Sequence, residues 1–414
     1  KEIFLNIDKK IYFRYKDVEN IGSFKIEDIK TLIESNYPSI FKKRIVEDGF
    51  RRGYKGRWGS TSHTMKVGAL QGVNRLSFNS FLSHLRKINL PFDASAKVIG
   101  PRLLHSSQWG YIDPIDTPDG GDVGLHKHMS IMSFVTNQYP KQKMVDWVFQ
   151  NIFIYALEEC KPNMLYNLTK IFVNGDWIGS VSNLFETISF MKNARRLSLI
   201  PIHTSISHSI QRNSIYIFTD SGRLVRPIFY IDNEESSFIN KQDNLSWNDM
   251  VHGIFDRTNY KEDGFYTTKE LYKSFADDKF ASLYNKRAII DMIDTSEAES
   301  ALIAASHNDL KKGHRYTHVE IHPSLLFGVM GHQVIFPENN PPTRNLFSCG
   351  QSKQAVSCYH SNYMNRVDKS GIVLNYGQIP LLKSRYYKYL HNEEMPYGEN
   401  TIVAIMSYGG YNVE

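Results

Sequence analysis

A proline-rich segment of the sequence presents cationic side chains that could hold a phosphate group. In IFPENNPPTRNLFSCGQSKQAV, residues 335–356, a loop with three prolines leads to Arg344, and the pair Lys353-Gln354 follows. A guanidinium group is always charged and presents a fixed fork of donors, so Arg344 on a stiffened loop would be a good phosphate ligand. An ordinary surface ion pair would use the same residue, and a single arginine does not separate the two interpretations.

A second segment, HSSQWGYIDPIDTPDGGDVGL, concentrates acidic residues. It contains Asp113, Asp116, Asp119 and Asp122, whose oxygens could bind a hard cation. Their spacing does not match a calcium-binding loop, however, and Thr-Pro-Asp-Gly is a typical β-turn sequence in which aspartates cap the backbone. We therefore favour a structural turn over a metal site.

Histidine and cysteine patterns give no indication of a metal centre. The three cysteines form no CxxC pair, so no zinc site is expected in this segment, and their odd, sparse count favours a reducing compartment. His314, His318 and His322 have helical metal-ligand spacing, but the sequence around them is typical of a strand, which would separate their side chains. Motifs of nucleotide-binding enzymes and serine hydrolases are absent from the sequence, which disfavours a self-contained enzyme of either kind.

Charge is distributed unevenly along the 414 residues, which are enough for about two or three domains. Residues 42–87 contain eleven Lys or Arg and two acids, whereas residues 231–300 contain eight basic residues and fifteen acids. This pattern indicates that one region faces a polyanion, although a solvated basic surface explains it equally well. No apolar run approaches the roughly 18 residues of a membrane span, so no membrane partner is expected.

Periodic apolar residues and turn signals predict an α+β protein of several domains. We expect small antiparallel sheets and hairpins, packed helices and long ordered loops rather than one parallel sheet. The predicted helices occupy residues 20–50 with a break at Pro38, 73–88, 142–160 and 182–197, and loops are expected over 49–60 and 91–125. The predicted strands form hairpins at 171–181 around Asn174-Gly175 and at 214–231 around Asp220-Ser221-Gly222, and a final strand over 400–414.

Six ordered segments of the sequence together resemble the second-largest, β-like subunit of multisubunit DNA-directed RNA polymerases. They are NRLSFNSFLSHLRKINLP, GPRLLHSSQWGYIDPIDTPDGGDVGL, IFVNGDWIGSV, IFTDSGRLVRPI, THVEIHPSLLFGVMGHQVIFPENNPPTRN with SKQAV, and GENTIVAIMSYGGYNVE. Their order makes the resemblance far more specific than any one string. The chain would be an internal piece of such a subunit, and its Asn-, Ile-, Lys- and Tyr-rich composition suggests a large DNA virus as source.

The resemblance implies roles for residues near the active centre. Arg344 would contact the phosphates of the incoming nucleotide and act in catalysis, and Lys353 and Gln354 would lie near the RNA 3′ end. Glu414 would be the first residue of a Glu-Asp pair near the second magnesium, which it would contact through water. Most of the Mg²⁺ coordination would belong to the largest subunit, so this chain alone should be inactive.

The resemblance also implies positions for the fork residues, the aspartate-rich turn and the regions of the chain. Arg86 and Lys87 would face the template or non-template strand at the fork. Asp116 and Asp119 stand where the family has glutamate, which keeps the charge but shortens the reach. The implied regions are the end of a protrusion-like region at 1–55, a fork-like region at 56–136, external regions at 137–230 and 231–380, and the start of a hybrid-binding region at 381–414.

The function implied is DNA-templated RNA synthesis as part of a polymerase core. Expected partners are the largest and other polymerase subunits, template DNA, the RNA transcript and nucleoside triphosphates, inside the cell in cytoplasm or nucleus, or in a virion if the source is viral. One alternative is a non-catalytic nucleic-acid-binding or assembly module on a polymerase-derived scaffold, which need not keep Arg344, Lys353 and Gln354. A free-standing metal-dependent hydrolase would need a compact acid or histidine cluster, which the sequence does not show.

Overall fold

The chain divides into two compact units, Lys1–Val73 and Asn74–Glu414. The computed structural model describes residues 2–16, 26–41, 44–54, 71–92, 94–232, 234–239, 245–253, 286–313, 315–407 and 409–411. Within these ranges, no helix has the length and apolar character needed to cross a membrane.

The first unit is helical where it is described. Its helices are α1 (Glu2–Lys16), α2 (Ile26–Ser35), α3 (Tyr37–Ile40) and α4 (Ile45–Tyr54). Helix α1 contacts α2 and α3, and Leu32 and Ile40 are buried. Pro38 lies in the first turn of α3, where its missing N–H is not needed. The loop predicted over 49–60 is wrong for 49–54, because α4 continues there with an Arg51–Glu47 pair at 2.9 Å along one face. Residues 55–60 lie outside the described ranges.

The second unit mixes helices with short strands, which confirms the predicted α+β class. Its helices are α5 (Phe78–Leu85), α6 (Lys141–Asn151), α7 (Leu184–Arg196), α8 (Trp247–His252), α9 (Thr295–Glu299) and α10 (Pro342–Gln354). Its strands are β1 (Lys87–Asn89), β2 (His126–His128), β3 (Phe134–Val135), β4 (Tyr155–Ala156), β5 (Thr169–Val173), β6 (Asp176–Val181), β7 (Ser205–Ser209), β8 (Ser214–Phe218), β9 (Leu224–Asp232), β10 (Glu235–Ser236), β11 (Ile290–Asp294), β12 (Ile303–Ala304) and β13 (His318–Val319).

A five-stranded sheet has the order β4-β6-β5-β8-β7. The predicted β5–β6 hairpin is confirmed, and its turn residues Asn174 and Gly175 have φ values of 49° and 90°, as a tight hairpin turn requires. Helices α6 and α7 cover the sheet through buried residues such as Trp147 and Met191. Helix α6 was predicted to reach residue 160 but ends at Asn151, because the chain then extends to pair β4 with β6.

The second sheet is organised around β9, which pairs with β3, β10, β11 and β13. The hairpin predicted between β8 and β9 is therefore wrong. Both edges of β8 are already occupied, by β5 on one side and β7 on the other, so β9 crosses into the other sheet. Strand β9 spans the boundary predicted between the two external regions, and that boundary stays a prediction.

Buried ion pairs connect the two sheets. Arg195 of α7 donates two hydrogen bonds to Glu297, at 2.6 and 2.9 Å, and neighbouring Arg196 donates to Asp291 of β11 at 2.6 Å. Burial by itself would raise the pKa of Asp291, but the guanidinium groups of Arg196 and Arg195 hold it well below the usual range. The resulting stabilisation is present above the ordinary carboxyl pKa and is lost as the pH falls through the lowered one.

The strand predicted over 400–414 is wrong for residues 400–407 and 409–411, which form no strand, and Gly409 and Gly410 have positive φ values. Ile402 and Ile405 are fully exposed there, and a strand needs a neighbour to satisfy its backbone. Residues 408 and 412–414 lie outside the described ranges.

We expect Glu297→Gln to destabilise the chain by about 3–5 kcal/mol, because it removes the nearest counter-charge of the buried Arg195 guanidinium and leaves only Asp291 at 3.5 Å. Urea unfolding followed by tryptophan fluorescence measures this effect. The matched control is Glu393→Gln, which breaks the partly exposed pair with Lys383 and should cost less than about 1 kcal/mol. Equal shifts for the two variants would contradict a special contribution from the buried pair.

Candidate functional site

Helix α10 carries both cationic residues that the sequence singled out. The expected loop position of Arg344 is wrong: Arg344 lies in the first turn of α10, because Pro342 starts the helix with a preset backbone angle. Its exposed side chain packs its guanidinium 5.4 Å from the ring centre of Phe347. No carboxylate pairs with it in the described part of the chain. The charge of Arg344 is thus available at the positive end of a helix, where an anion is favoured.

Lys353, in the last turn of α10, is anchored on the aspartate-rich segment. Its Nζ donates to Oδ1 of Asp116 at 2.6 Å, and Asp116 is only 2% exposed. His128 of β2 completes the contact: its Nδ1 lies 2.8 Å from the backbone oxygen of Asp116 and its Nε2 lies 3.3 Å from Nζ. A turn that is distant in sequence therefore fixes the direction of the Lys353 ammonium group.

The neighbouring Asp113 holds the same turn on the chain that leads to α10. One carboxylate oxygen accepts from the backbone N–H groups of Gly328 at 2.8 Å and Gly331 at 3.3 Å, and the other accepts from Ile115 at 3.1 Å. Burial, followed by the nearby charge of Asp116, raises the pKa of Asp113 to about 7. The role of Asp113 is thus to position the turn and not to position a ligand.

Helix α5 fixes α10 from another side. Ser77 donates to the carbonyl of Lys353 at 2.5 Å, and Asn79 and Gln333 exchange two amide hydrogen bonds, each 3.1 Å long. Asn79 also donates to the carbonyl of Ser352 at 3.4 Å. These contacts set the C-terminal end of α10, and with it the position of Lys353.

The two residues assigned to the fork lie in different environments. Arg86 donates to the carbonyls of Ser130, Ile131 and Ser133, at 2.5, 3.2 and 3.2 Å, so its guanidinium braces that loop. Lys87 lies on β1 directly opposite His128. Burial, and next the charge of Lys353, lower the pKa of Lys87. Lys87 therefore belongs to the Lys353 cluster, and a role in DNA binding stays a prediction for both fork residues.

The remaining predicted site residues are not brought into this cluster. Asp119 is exposed and makes no cap hydrogen bond with its side chain, and Gln354 is exposed at the end of α10. Glu414 lies outside the described residues. Within the described ranges, no group of three or more His, Cys, Asp or Glu side chains is arranged to hold a metal ion.

The three histidines with helical metal-ligand spacing, His314, His318 and His322, lie in a region that the structure describes in part. His318 is buried on β13 and His322 caps a 3-10 turn, so the predicted separation of these two side chains is confirmed. His314 lies outside the described residues.

Sequence reasoning named Asp113 only as one of four turn aspartates, and it missed His128 and the Asn79–Gln333 pair. His128 stands in the short strand sequence HKH, which contains no motif that marks a site. Its partners are far away along the chain, so no local pattern could have identified them.

Comparison with known proteins agrees with the resemblance. Four domain models of RNA polymerase Rpb2 match the chain in order: domain 3 at residues 71–135, domain 4 at 171–232, domain 5 at 280–323 and domain 6 at 330–414. Together they cover more than half of the chain. The chain belongs to the Rpb2 family, the second-largest subunits of DNA-directed RNA polymerases.

Individual relatives come from cellular and viral sources. The chain is 30% identical to DNA-directed RNA polymerase II subunit RPB2 of Schizosaccharomyces pombe, over 98% of this chain and 35% of the relative. Identity is 33% with DNA-directed RNA polymerase II subunit 2 of Arabidopsis thaliana, over 92% of the chain and 31% of the relative. It is 29% with DNA-directed RNA polymerase subunit 2 of Acanthamoeba polyphaga mimivirus, over 93% and 32%. The chain spans about a third of the length of the curated relatives it matches.

We expect Gly328→Ala to destabilise the chain by about 1–3 kcal/mol, because a Cβ there would lie 2.7 Å from the Met129 carbonyl oxygen and 2.8 Å from the Asp113 carboxylate. Gly350→Ala is the matched control. It lies inside α10 with nothing within 4 Å of the added carbon, so it should be neutral or stabilising by up to about 1 kcal/mol. Chemical unfolding compares the two, and a tolerated Gly328→Ala would contradict the close docking of the Asp113 turn.

Proposed function

We propose that this chain forms part of the catalytic core of a DNA-dependent RNA polymerase. There it helps to hold template DNA, the RNA 3′ end and the incoming nucleoside triphosphate. The observation that carries the proposal is the placement of two cations on one helix: an exposed Arg344 at its start, which pairs with no carboxylate of the described ranges, and an anchored Lys353 at its end. At 1.5 Å per residue, their Cα atoms are separated by roughly 14 Å along the axis.

The two cations suit different parts of phosphoryl transfer. Negative charge builds on phosphate oxygens during the reaction, so metal ions and positive donors contribute more than a covalent nucleophile. The arginine fork can bind two phosphate oxygens at once, whereas the lysine supplies a point charge with three donors. Arg344 would bind the triphosphate, and Lys353 with Gln354 would hold the RNA end.

Magnesium would be bound chiefly by the largest subunit. The family resemblance assigns the metal-binding aspartates to the largest subunit and leaves Glu414 as the residue of this chain that would reach a second magnesium, through water. The two described aspartates nearest α10 have other tasks: Asp113 accepts from backbone N–H groups and Asp116 pairs with Lys353. The proposed partners are accordingly the largest subunit, the other polymerase subunits, nucleic acid and nucleoside triphosphates.

The cellular setting follows from the same proposal. A polymerase core works where template DNA lies, which is the nucleus or the cytoplasm. Named relatives include subunits of RNA polymerase II and a mimivirus subunit. A viral source stays a hypothesis.

The alternative, an assembly module without a role in catalysis, predicts that the cations of α10 are dispensable. Within the described residues, the Arg344 side chain makes no hydrogen bond or ion pair and stacks only on the Phe347 ring. An exposed arginine that does so little for the fold is better explained by a ligand, which favours the catalytic role.

In the complete polymerase, we expect Arg344→Ala to raise the KM for nucleoside triphosphates and lower kcat. The loss in kcat/KM should correspond to about 2–3 kcal/mol, as for a lost charge-assisted contact. Steady-state extension of a primed template measures both constants. Arg212→Ala, which removes an exposed arginine from the turn between β7 and β8, should leave them unchanged. Wild-type kinetics of Arg344→Ala at limiting nucleotide would remove this residue from the site.

We also expect the purified chain alone to extend no RNA, because the magnesium-binding aspartates would be on the partner. The full-length gene product should co-purify with a largest subunit and with RNA synthesis, which affinity capture with mass spectrometry and an extension assay can measure. Nucleic-acid binding without such a partner would support the assembly module instead. RNA extension by the chain alone would show that its own residues supply the chemistry.

A further inference from the structure

The ammonium group of Lys353 is held by two acceptors that differ in charge. Nζ lies 2.6 Å from the Asp116 carboxylate and 3.3 Å from Nε2 of His128. An ammonium group has three N–H donors, so these two contacts leave one donor without an acceptor among the residues that the structure describes. The Lys353 side chain remains 21% exposed, whereas that of Asp116 is 3% exposed, so the lysine is partly accessible to a ligand and the carboxylate is enclosed.

The surroundings of His128 fix its tautomer. Nδ1 lies 2.8 Å from the backbone oxygen of Asp116, which can only accept, so Nδ1 carries the proton and donates. Nε2 then has a free lone pair and accepts from Lys353. Burial lowers the pKa of His128 to about 4, with an opposing effect from Asp116 and a smaller lowering from Lys353, so the imidazole is neutral near pH 7.

The charged groups around this contact are of both signs. The turn contributes the carboxylate of Asp116, α10 contributes Lys353, and β1 contributes Lys87 opposite His128. Asp122 also acts on Lys87, from a more exposed position. A carboxylate in place of His128 would add further negative charge beside Lys353, whereas the neutral imidazole orients the ammonium group without adding charge.

We propose that His128 is a positioning residue for Lys353: its Nε2 and the Asp116 carboxylate together direct the third N–H of Lys353 toward a phosphate group of bound nucleic acid. This inference rests on the proposed function, which places Lys353 near the RNA end. His128 itself touches no substrate in this arrangement and acts only through the lysine.

The test compares three single variants of the complete polymerase with one double variant. His128→Phe keeps the ring but removes both nitrogens, His128→Gln can place an amide oxygen near the position of Nε2, and Lys353→Met removes the ammonium group. Single-nucleotide addition on a preformed template–RNA scaffold gives kcat and KM, and thermal unfolding of each enzyme reports on its folding. Because one hydrogen bond is lost, we expect His128→Phe to lower kcat/KM by about 3- to 10-fold. His128→Gln should recover part of this loss.

The double variant distinguishes positioning from a general packing effect. If His128 acts through Lys353, His128→Phe should cause no further loss in the Lys353→Met background. An equal loss in both backgrounds would overturn the proposal. So would wild-type kinetics of His128→Phe together with a defect in Lys353→Met, and the function proposed for Lys353 would then survive. Wild-type kinetics of Lys353→Met would instead overturn the role of Lys353 itself, and with it the inference about His128.

Discussion

The docking of one aspartate-rich turn determines the geometry of the candidate site. The turn from Asp113 to Thr117 binds in two places: Asp113 accepts backbone N–H groups from Gly328 and Gly331, and Asp116 accepts from Lys353. Both carboxylates are buried, and a buried carboxylate is stable only when donors surround it. The turn and helix α10 must therefore be placed together, because a shift of either one would leave buried charge without a partner.

Buried charge also organises the region away from the site. At the end of α7, Arg195 pairs with Glu297 of α9, and Arg196 pairs with Asp291 of β11 in the second sheet. Such pairs contribute little net stability compared with apolar packing, but a broken pair is costly. Matching of these charges therefore selects one arrangement of the two sheets. Strand β9 belongs to this second sheet and pairs with β3. Strand β3 directly follows the 130–133 loop, to which Arg86 donates hydrogen bonds.

The sequence predicted local features better than long-range ones. Asn174-Gly175 determines its hairpin through turn chemistry alone, and helix α7 begins at an Asn183 cap and follows apolar spacing. The predicted β8–β9 hairpin is wrong because strand pairing depends on which strand edges are already occupied. Local sequence patterns do not encode that. The same limit explains why Arg344 and Lys353 were recognised as candidates, whereas His128, which lies far from Lys353 in sequence, was not.

The basic side chains near α10 differ in whether acceptors of the fold already bind them. Arg86 and Lys353 are both basic residues in polymerase-like segments, yet Arg86 donates to three carbonyls and Lys353 to one carboxylate and one imidazole. Arg344 donates its side chain to neither kind of acceptor within the described residues. A side chain without such acceptors loses rotamer entropy when it binds a ligand, whereas an anchored one has already lost it during folding. In the proposed function, Arg344 would therefore suit a nucleotide that enters and leaves in every cycle, and Lys353 would suit a nucleic-acid chain that stays bound between cycles.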